Sequence, residues 1–383
     1  MKKLPKSLAE KLIKRDQDFA LRLLSEQSKL IDFSSNDYLG FANSEIIFDK
    51  THQYLIDSAL KINGATGSRL ISGNHNLYTI AEDFIANFHK SETSLIFNSG
   101  YDANIGFFSS LPQRNDFIFY DELCHASIRD GISMSNAKSY KYNHNDLEDL
   151  ENKIKKIDLK NNTLEIYIVT ESVFSMDGDS INLIELVELS EKYNCNLVID
   201  EAHALGVFGE NGKGVLQELK IHDRVFARIM TFGKGLGCHG AAILGNNELK
   251  KYLVNFARSF IYTTGLSPHS VATILIAYKE LENQSNSIVK LQNNIQFFNQ
   301  QIAILGIKQL FVRNKSAIQS AIIPGNKKVR AIAFQLQEKG FNVKAILSPT
   351  VPEGQERLRF CLHSYNSEKE ISDVLQLLST FVF

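Results

Sequence analysis

Charge imbalance is absent from this sequence. Its 42 Lys and Arg against 43 Asp and Glu leave a net charge of −1. No global field therefore draws the chain to nucleic acid or to an anionic membrane. Cysteine is scarce: Cys124, Cys195, Cys238 and Cys361 are widely spread and form no CxxC pair. That pattern speaks against a disulfide framework and against a cysteine-bound metal, and for reduced thiols. Long apolar runs are missing too, since no stretch reaches the roughly 18 apolar residues of a membrane helix. The opening residues MKKLPKSLAEKLIKRDQ are charged throughout and lack the apolar core of a secretion signal. A cytoplasmic protein is the expectation. There is no low-complexity linker and no evident repeat. The string "DEAH" at 200–203 resembles part of a nucleotide-hydrolysing site, but the phosphate loop GxxxxGK followed by Ser or Thr is nowhere in the chain.

What is present is alternation. The 383 residues allow a large core and more than one domain. Leu8–Leu24 carries apolar residues at helical spacing, which predicts an amphipathic opening helix. "LIDFSSNDYLGF" reads as a short strand entering a polar turn. Between about 45 and 270, short apolar runs predict strands at Ser94–Phe97, Phe117–Tyr120, Ile166–Thr170, Leu197–Asp200, Ala227–Thr231 and Ala241–Leu244. Helical patterns separate most of them, notably Leu183–Tyr193. Such alternation predicts an α/β domain whose mostly parallel central sheet is flanked by helices. From about 280 a long polar helix, strands near Ile318–Ile323 and Arg357–Leu362, and a final helix Ser367–Phe381 predict a smaller C-terminal α+β domain. The expected division is an N-terminal segment 1–44, a large domain 45–280 and a C-terminal domain 281–383.

Open sheets of this kind bind ligands beyond the carboxyl ends of their strands. Ser99, Gly100 and Tyr101 follow the first strand, where free N–H groups at a helix start attract phosphate; an ordinary N-cap is the plainer alternative. His125 follows the next strand and is by itself readable as structural. Glu171, Ser175, Asp177 and Asp179 crowd one turn without the spacing of a calcium loop. Asp200 ends a strand, with His203 three residues on. Lys234 stands in the glycine-rich stretch "TFGKGLGCHG". A flat, anionic, pyridine-bearing cofactor accounts for the whole set. Lys234 can form a Schiff base. Asp200 can keep a pyridine nitrogen protonated. The Ser99–Tyr101 turn can hold a phosphate, His125 can stack on the ring, and His203 can bond a ring hydroxyl.

The segments "DFSSNDYLGF", "GATGSRLISGNH", "NSGYDAN", "HASIRDG", "ESVFSMDGDS", "DEAHALGVFGENGKG", "TFGKGLG" and "TVPEGQERLRF" run in this order along nearly the whole chain. In them the sequence resembles the α-oxoamine synthases, fold-type I enzymes that use pyridoxal 5'-phosphate. The resemblance implies condensation of an amino acid with an acyl thioester, with loss of carbon dioxide. It implies a Schiff base on Lys234, ring stacking by His125 and a pyridinium partner in Asp200. Ser175, His203 and Thr231 match cofactor-contacting positions, and Gly100 and Tyr101 match the phosphate pair. Arg359 matches the residue that grips the amino-acid carboxylate, with Asn36 beside it. Arg22 and Thr350 match positions that meet the acyl substrate, and His125 is implied to touch the thioester carbonyl as well. "IYTTGLSP", with Thr263 and Thr264, matches a segment that completes the phosphate site of a neighbouring subunit, so a homodimer is implied. Sister enzymes of the family share the cofactor residues and differ in the acyl pocket. A non-catalytic scaffold of the same fold is expected to lack Lys234. One departure is Cys238 and His239, where a small residue and serine are expected; both read as structural, and no metal site is expected.

Overall fold

The computed structural model describes residues 3–22, 24, 29–157, 164–283 and 285–383. These divide into two compact units. One comprises the described residues within 36–175 and 179–290; the other comprises those within 3–35, 176–178 and 291–383. Against the expected boundaries at 44 and 280, the N-terminal segment groups with the C-terminal residues, and the second boundary lies inside the helix Ser285–Ile304.

The larger unit is built on seven strands: β1 (Thr93–Phe97), β2 (Phe117–Asp121), β3 (Lys138–Tyr142), β4 (Ile166–Glu171), β5 (Asn196–Asp200), β6 (Ala227–Thr231) and β7 (Ala241–Gly245). Their order is β1-β7-β6-β5-β4-β2-β3. Only β7 runs antiparallel to its neighbours, so β1 keeps the direction of the other five. Two hydrophobic clusters explain the apolar strands. Val169, Val198 and Ile229 face one cluster with Phe107, Phe108 and Ile128. Ile168, Leu197 and Ile199 face the other with Leu150, Leu186 and Val187. Alternate residues of one strand thus enter opposite cores, which requires apolar side chains at nearly every position. The strand β3, KSYKY, was not expected. It lies at the sheet edge with only Tyr142 buried, so it carries no continuous apolar run.

Five of the six co-directional strands end at one edge with the residues singled out above. The helix Gly100–Ser110 starts there under a Ser99 cap, whose hydroxyl accepts from Asp102 N–H at 3.0 Å. His125 caps Ala126–Ser133 in the same manner.

In the smaller unit, Ile318–Ile322, Arg357–Cys361 and Lys344–Ile346 form an antiparallel sheet with Arg357–Cys361 in the middle. Helices Asn326–Glu338 and Glu368–Val382 belong to this unit. Ile31–Asp32 pairs in parallel with Phe341–Asn342. The opening helix spans Lys6–Gln17, shorter than the expected Leu8–Leu24. It stops because Phe19 takes a left-handed φ of 54°, which a helix cannot continue; Leu23 lies outside the described residues. Among the described residues, no helix is long and apolar enough to cross a membrane.

Candidate active site

Asp200 ends β5 and is buried at 5% exposure. One carboxylate oxygen accepts from Ala202 N–H at 2.9 Å, the other from Asn104 Nδ2 at 3.0 Å. Asn104 lies one helical turn beyond Gly100, and its amide also reaches Ser127 Oγ at 3.0 Å. Ser127 Oγ stands 2.8 Å from His125 Nδ1, and the Ser127 N–H donates to the same nitrogen at 3.2 Å. Nδ1 is therefore an acceptor, and the proton of the neutral ring sits on Nε2. Although His125 is an exposed residue, desolvation of its ring and then the Lys234 charge hold its pKa below the ordinary histidine value. The four residues form one hydrogen-bonded chain from Asp200 to His125. Asn104 belongs to the motif "NSGYDAN" but was not singled out; its signal was the four-residue spacing from Gly100.

His203 is buried, and its Nε2 lies 2.7 Å from Lys234 Nζ. The glycines around the lysine have identifiable tasks. A Cβ on Gly235 would sit 2.2 Å from the Leu205 carbonyl oxygen, and one on Gly237, where φ is +60°, 2.1 Å from Ala42 N. Close backbone approach therefore demands glycine at both sites. Thr231 ends β6 against Gly100, where an added Cβ would stand 2.5 Å from the Thr231 hydroxyl. The helix start is pressed onto the strand end, and the first N–H groups, of Gly100 and Tyr101, have no partner within their own helix. Tyr101 is half exposed and donates to Asp130 at 2.9 Å.

Glu171 ends β4 and is buried, accepting from His125 N–H at 2.6 Å. Burial first, and the Asp200 charge second, push its pKa up to about 8. Asp179 meets His144 at 2.9 Å in the larger unit, whereas Asp177 pairs with Arg357 in the smaller one. The acidic crowd thus resolves into separate tasks. Ser175 is half-buried on the loop after β4. Asn98, beside Ser99, donates to Thr263 Oγ1 at 3.1 Å and to the Thr264 carbonyl at 2.7 Å within the same chain. Asn36 accepts from Tyr38 OH at 3.3 Å. Cys238 is half-buried, with Sγ 3.0 Å from the Leu236 carbonyl oxygen, and burial pushes its thiol up to about 12. His239 is exposed.

The smaller unit holds the remaining expected residues. Arg359 is buried in the central strand, opposite Ser320 and Lys344. Arg22 and Thr350 are both exposed, and the guanidinium donates to the threonine hydroxyl at 3.2 Å.

The family model for aminotransferase class I and II matches residues 28–378. The chain belongs to this family. It is similar to 8-amino-7-oxononanoate synthase of Emericella nidulans, at 39% identity covering 98% of this chain and 95% of the relative. Among solved structures it is similar to 8-amino-7-oxononanoate synthase from Francisella tularensis. The identity is 30% and the TM-score 0.77, covering 92% of this chain and 98% of that one. It is also similar to Sphingomonas wittichii serine palmitoyltransferase, at 27% identity and TM-score 0.87, covering 98% and 96%. Within the family it is an α-oxoamine synthase of fold type I, a pyridoxal-phosphate-dependent acyltransferase. Its cofactor is pyridoxal 5'-phosphate. The donor set fits that group. A primary amine, a buried carboxylate and a glycine helix start clamped on a threonine stand at the ends of β6, β5 and β1.

Proposed function

We propose that this chain joins L-alanine to a pimeloyl thioester, carried on coenzyme A or a carrier protein. The products are 8-amino-7-oxononanoate, carbon dioxide and the free thiol, a step of biotin biosynthesis. The observation that carries the chemistry is the strand-end cluster in which Lys234 Nζ lies 2.7 Å from His203 and Asp200 is anchored by Asn104. The choice of alanine and pimeloyl thioester rests on the similarity to 8-amino-7-oxononanoate synthases over almost the full chain.

Gly100 and Tyr101 would hold the cofactor phosphate, Asp200 its ring nitrogen and His203 its ring hydroxyl, with Ser175 and Thr231 as further contacts. Bound there, the cofactor supplies an electron sink for charge at the amino-acid α-carbon. Lys234 would hold the cofactor covalently and, as a free amine, would take the α-proton as general base. Arg359 orients the amino-acid carboxylate through a paired hydrogen bond, assisted by Asn36. His125 would pack on the cofactor ring and offer its Nε2–H to the thioester oxygen as charge develops there. Arg22 and Thr350 receive the acyl chain; an arginine suits an acyl group that ends in a carboxylate. We further propose a cytoplasmic homodimer with shared sites, in which Thr263 and Thr264 reach the phosphate of the neighbouring subunit.

A second reading, serine palmitoyltransferase activity, draws on the likeness to a serine palmitoyltransferase structure at TM-score 0.87; 2-amino-3-oxobutyrate coenzyme A ligase activity is the other sister alternative. A thiol-release assay decides between them. Alanine, glycine and serine are each paired with pimeloyl, acetyl and palmitoyl thioesters. Fastest release with alanine and the pimeloyl thioester is expected. Preference for serine with the palmitoyl donor overturns the first reading, and release with no pair overturns both.

A further inference from the structure

One residue of "DFSSNDYLGF" has no part in the reading above. Tyr38 is fully buried, and its hydroxyl stands 2.6 Å from His203 Nδ1. His203 Nε2 in turn lies 2.7 Å from Lys234 Nζ. On its other side the Tyr38 hydroxyl reaches Asn36 Oδ1 at 3.3 Å. Four side chains therefore form one line, Asn36–Tyr38–His203–Lys234, inside the larger unit.

Their donor and acceptor capacities give the line a direction. A lysine ammonium has only protons to offer, so His203 Nε2 must accept. A neutral imidazole that accepts at Nε2 carries its proton on Nδ1. Nδ1–H then donates to the Tyr38 oxygen, and the Tyr38 proton passes on to the Asn36 carbonyl oxygen. The reverse arrangement sets an Nε2–H against an ammonium, donor facing donor. We propose that Tyr38 is a positioning residue, which fixes the His203 tautomer so that Nε2 stays an acceptor toward Lys234.

The placement of Tyr38 is built into the fold. Both Asp37 carboxylate oxygens accept from Ala42 N–H at 3.2 Å and close the turn around it. Gly237 of the lysine loop packs on Ala42, and Leu39 lies against Gly206 of the His203 loop. The tyrosine is thus held by the same two loops whose side chains it addresses. With its proton taken by the Asn36 carbonyl oxygen, the Tyr38 hydroxyl can accept from Nδ1–H and in doing so hold the ring proton off Nε2. Phenylalanine can do neither.

The structural part of this inference stands on the chain alone; its bearing on catalysis rests on the function proposed above. Two measurements separate the two. In the cofactor-free protein with 15N-labelled histidine, long-range NMR correlation reads the His203 tautomer. The wild type is expected to show a protonated Nδ1. Tyr38→Phe is expected to move the ring toward the Nε2-protonated form, and Asn36→Ala, which removes the acceptor for the Tyr38 proton, to move it the same way. An Nε2-protonated wild type, or an Nδ1-protonated ring in every variant that folds, overturns the proposal. In the cofactor-loaded protein, the pH midpoint of the visible absorption band is expected to fall in Tyr38→Phe by about one unit. That is the scale of one hydrogen bond changed between His203 and the cofactor's ring hydroxyl. An unchanged midpoint overturns the effect on Lys234. Absence of any visible band in the wild type sinks the proposed function, and the NMR result still decides the role of Tyr38.

Discussion

Glu171 and Asp200 are register partners on adjacent parallel strands, and both side chains are buried. Two carboxylates so placed cannot both ionise cheaply. Burial and the Asp200 charge hold Glu171 up to about 8, against 4.5 for the ordinary side chain. The folded chain therefore keeps a proton that the unfolded chain releases, and stability falls as pH rises from about 4.5 through about 8. Glu171→Gln imitates the protonated acid and still accepts from His125 N–H. Its melting temperature is expected to decline less than that of the wild type between pH 5 and 9. Parallel declines in the two proteins would show that Glu171 does not hold the extra proton.

His144 is the second group of this kind. Burial alone lowers its pKa, but the hydrogen bonds it donates to Asp121 and Asp179, both at 2.9 Å, override it and raise the value to about 10. The stabilisation is fully present below the unfolded value of about 6.5 and is lost as pH climbs through about 10. His144→Gln is expected to cost about 1.5–3 kcal/mol at pH 7, the range for hydrogen bonds to charged groups. The gap should narrow above pH 10. Urea unfolding at the two pH values measures it, and an equal gap at both rules out the charged pair.

Lys234→Ala is expected to abolish condensation while leaving weak cofactor binding through the phosphate turn and ring contacts. The variant should also lose the borohydride-sensitive yellow colour, because no lysine imine forms. Condensation near the wild-type rate would dismiss Lys234 as the base.

Asp200→Asn keeps one acceptor oxygen, enough for either Asn104 or the Ala202 N–H, and removes the charge meant to hold the ring nitrogen protonated. Deuterium exchange at the alanine α-carbon should slow by about 10²–10³-fold, the cost typical of one electrostatic partner of a transition state. Exchange at the native rate assigns Asp200 another task.

Assembly is open to a mixed-dimer test. One chain carries Lys234→Ala, the other Thr263→Ala with Thr264→Ala. If sites are shared across a two-fold axis, one site collects both defects and the other none, and activity is near half that of the intact dimer. The Thr263 hydroxyl also has a partner in its own chain, Asn98 at 3.1 Å. If each chain serves only its own phosphate, both sites carry one defect, and the mixture does no better than the mean of its parents.

The large sheet was legible in the sequence because strands buried on both faces must be apolar throughout. Six of its strands begin or end within one residue of their apolar runs. The seventh, Lys138–Tyr142, was hidden because an edge strand with exposed faces has no need of such a run. The residues that follow the strand ends, His125, Asp200, His203 and Lys234, were legible for a related reason: the chain direction alone sends them to one edge. Which of them touch was decided only by the tertiary structure. Asn104 reaches Asp200 across 96 positions and Tyr38 reaches His203 across 165. Hydrogen bonds across such separations leave no periodic trace, because they depend on which loops pack together rather than on local spacing. The same holds for the protons: the sequence lists Glu171 and His144 as ordinary ionisable residues, and only burial beside Asp200, Asp121 and Asp179 determines when each is charged.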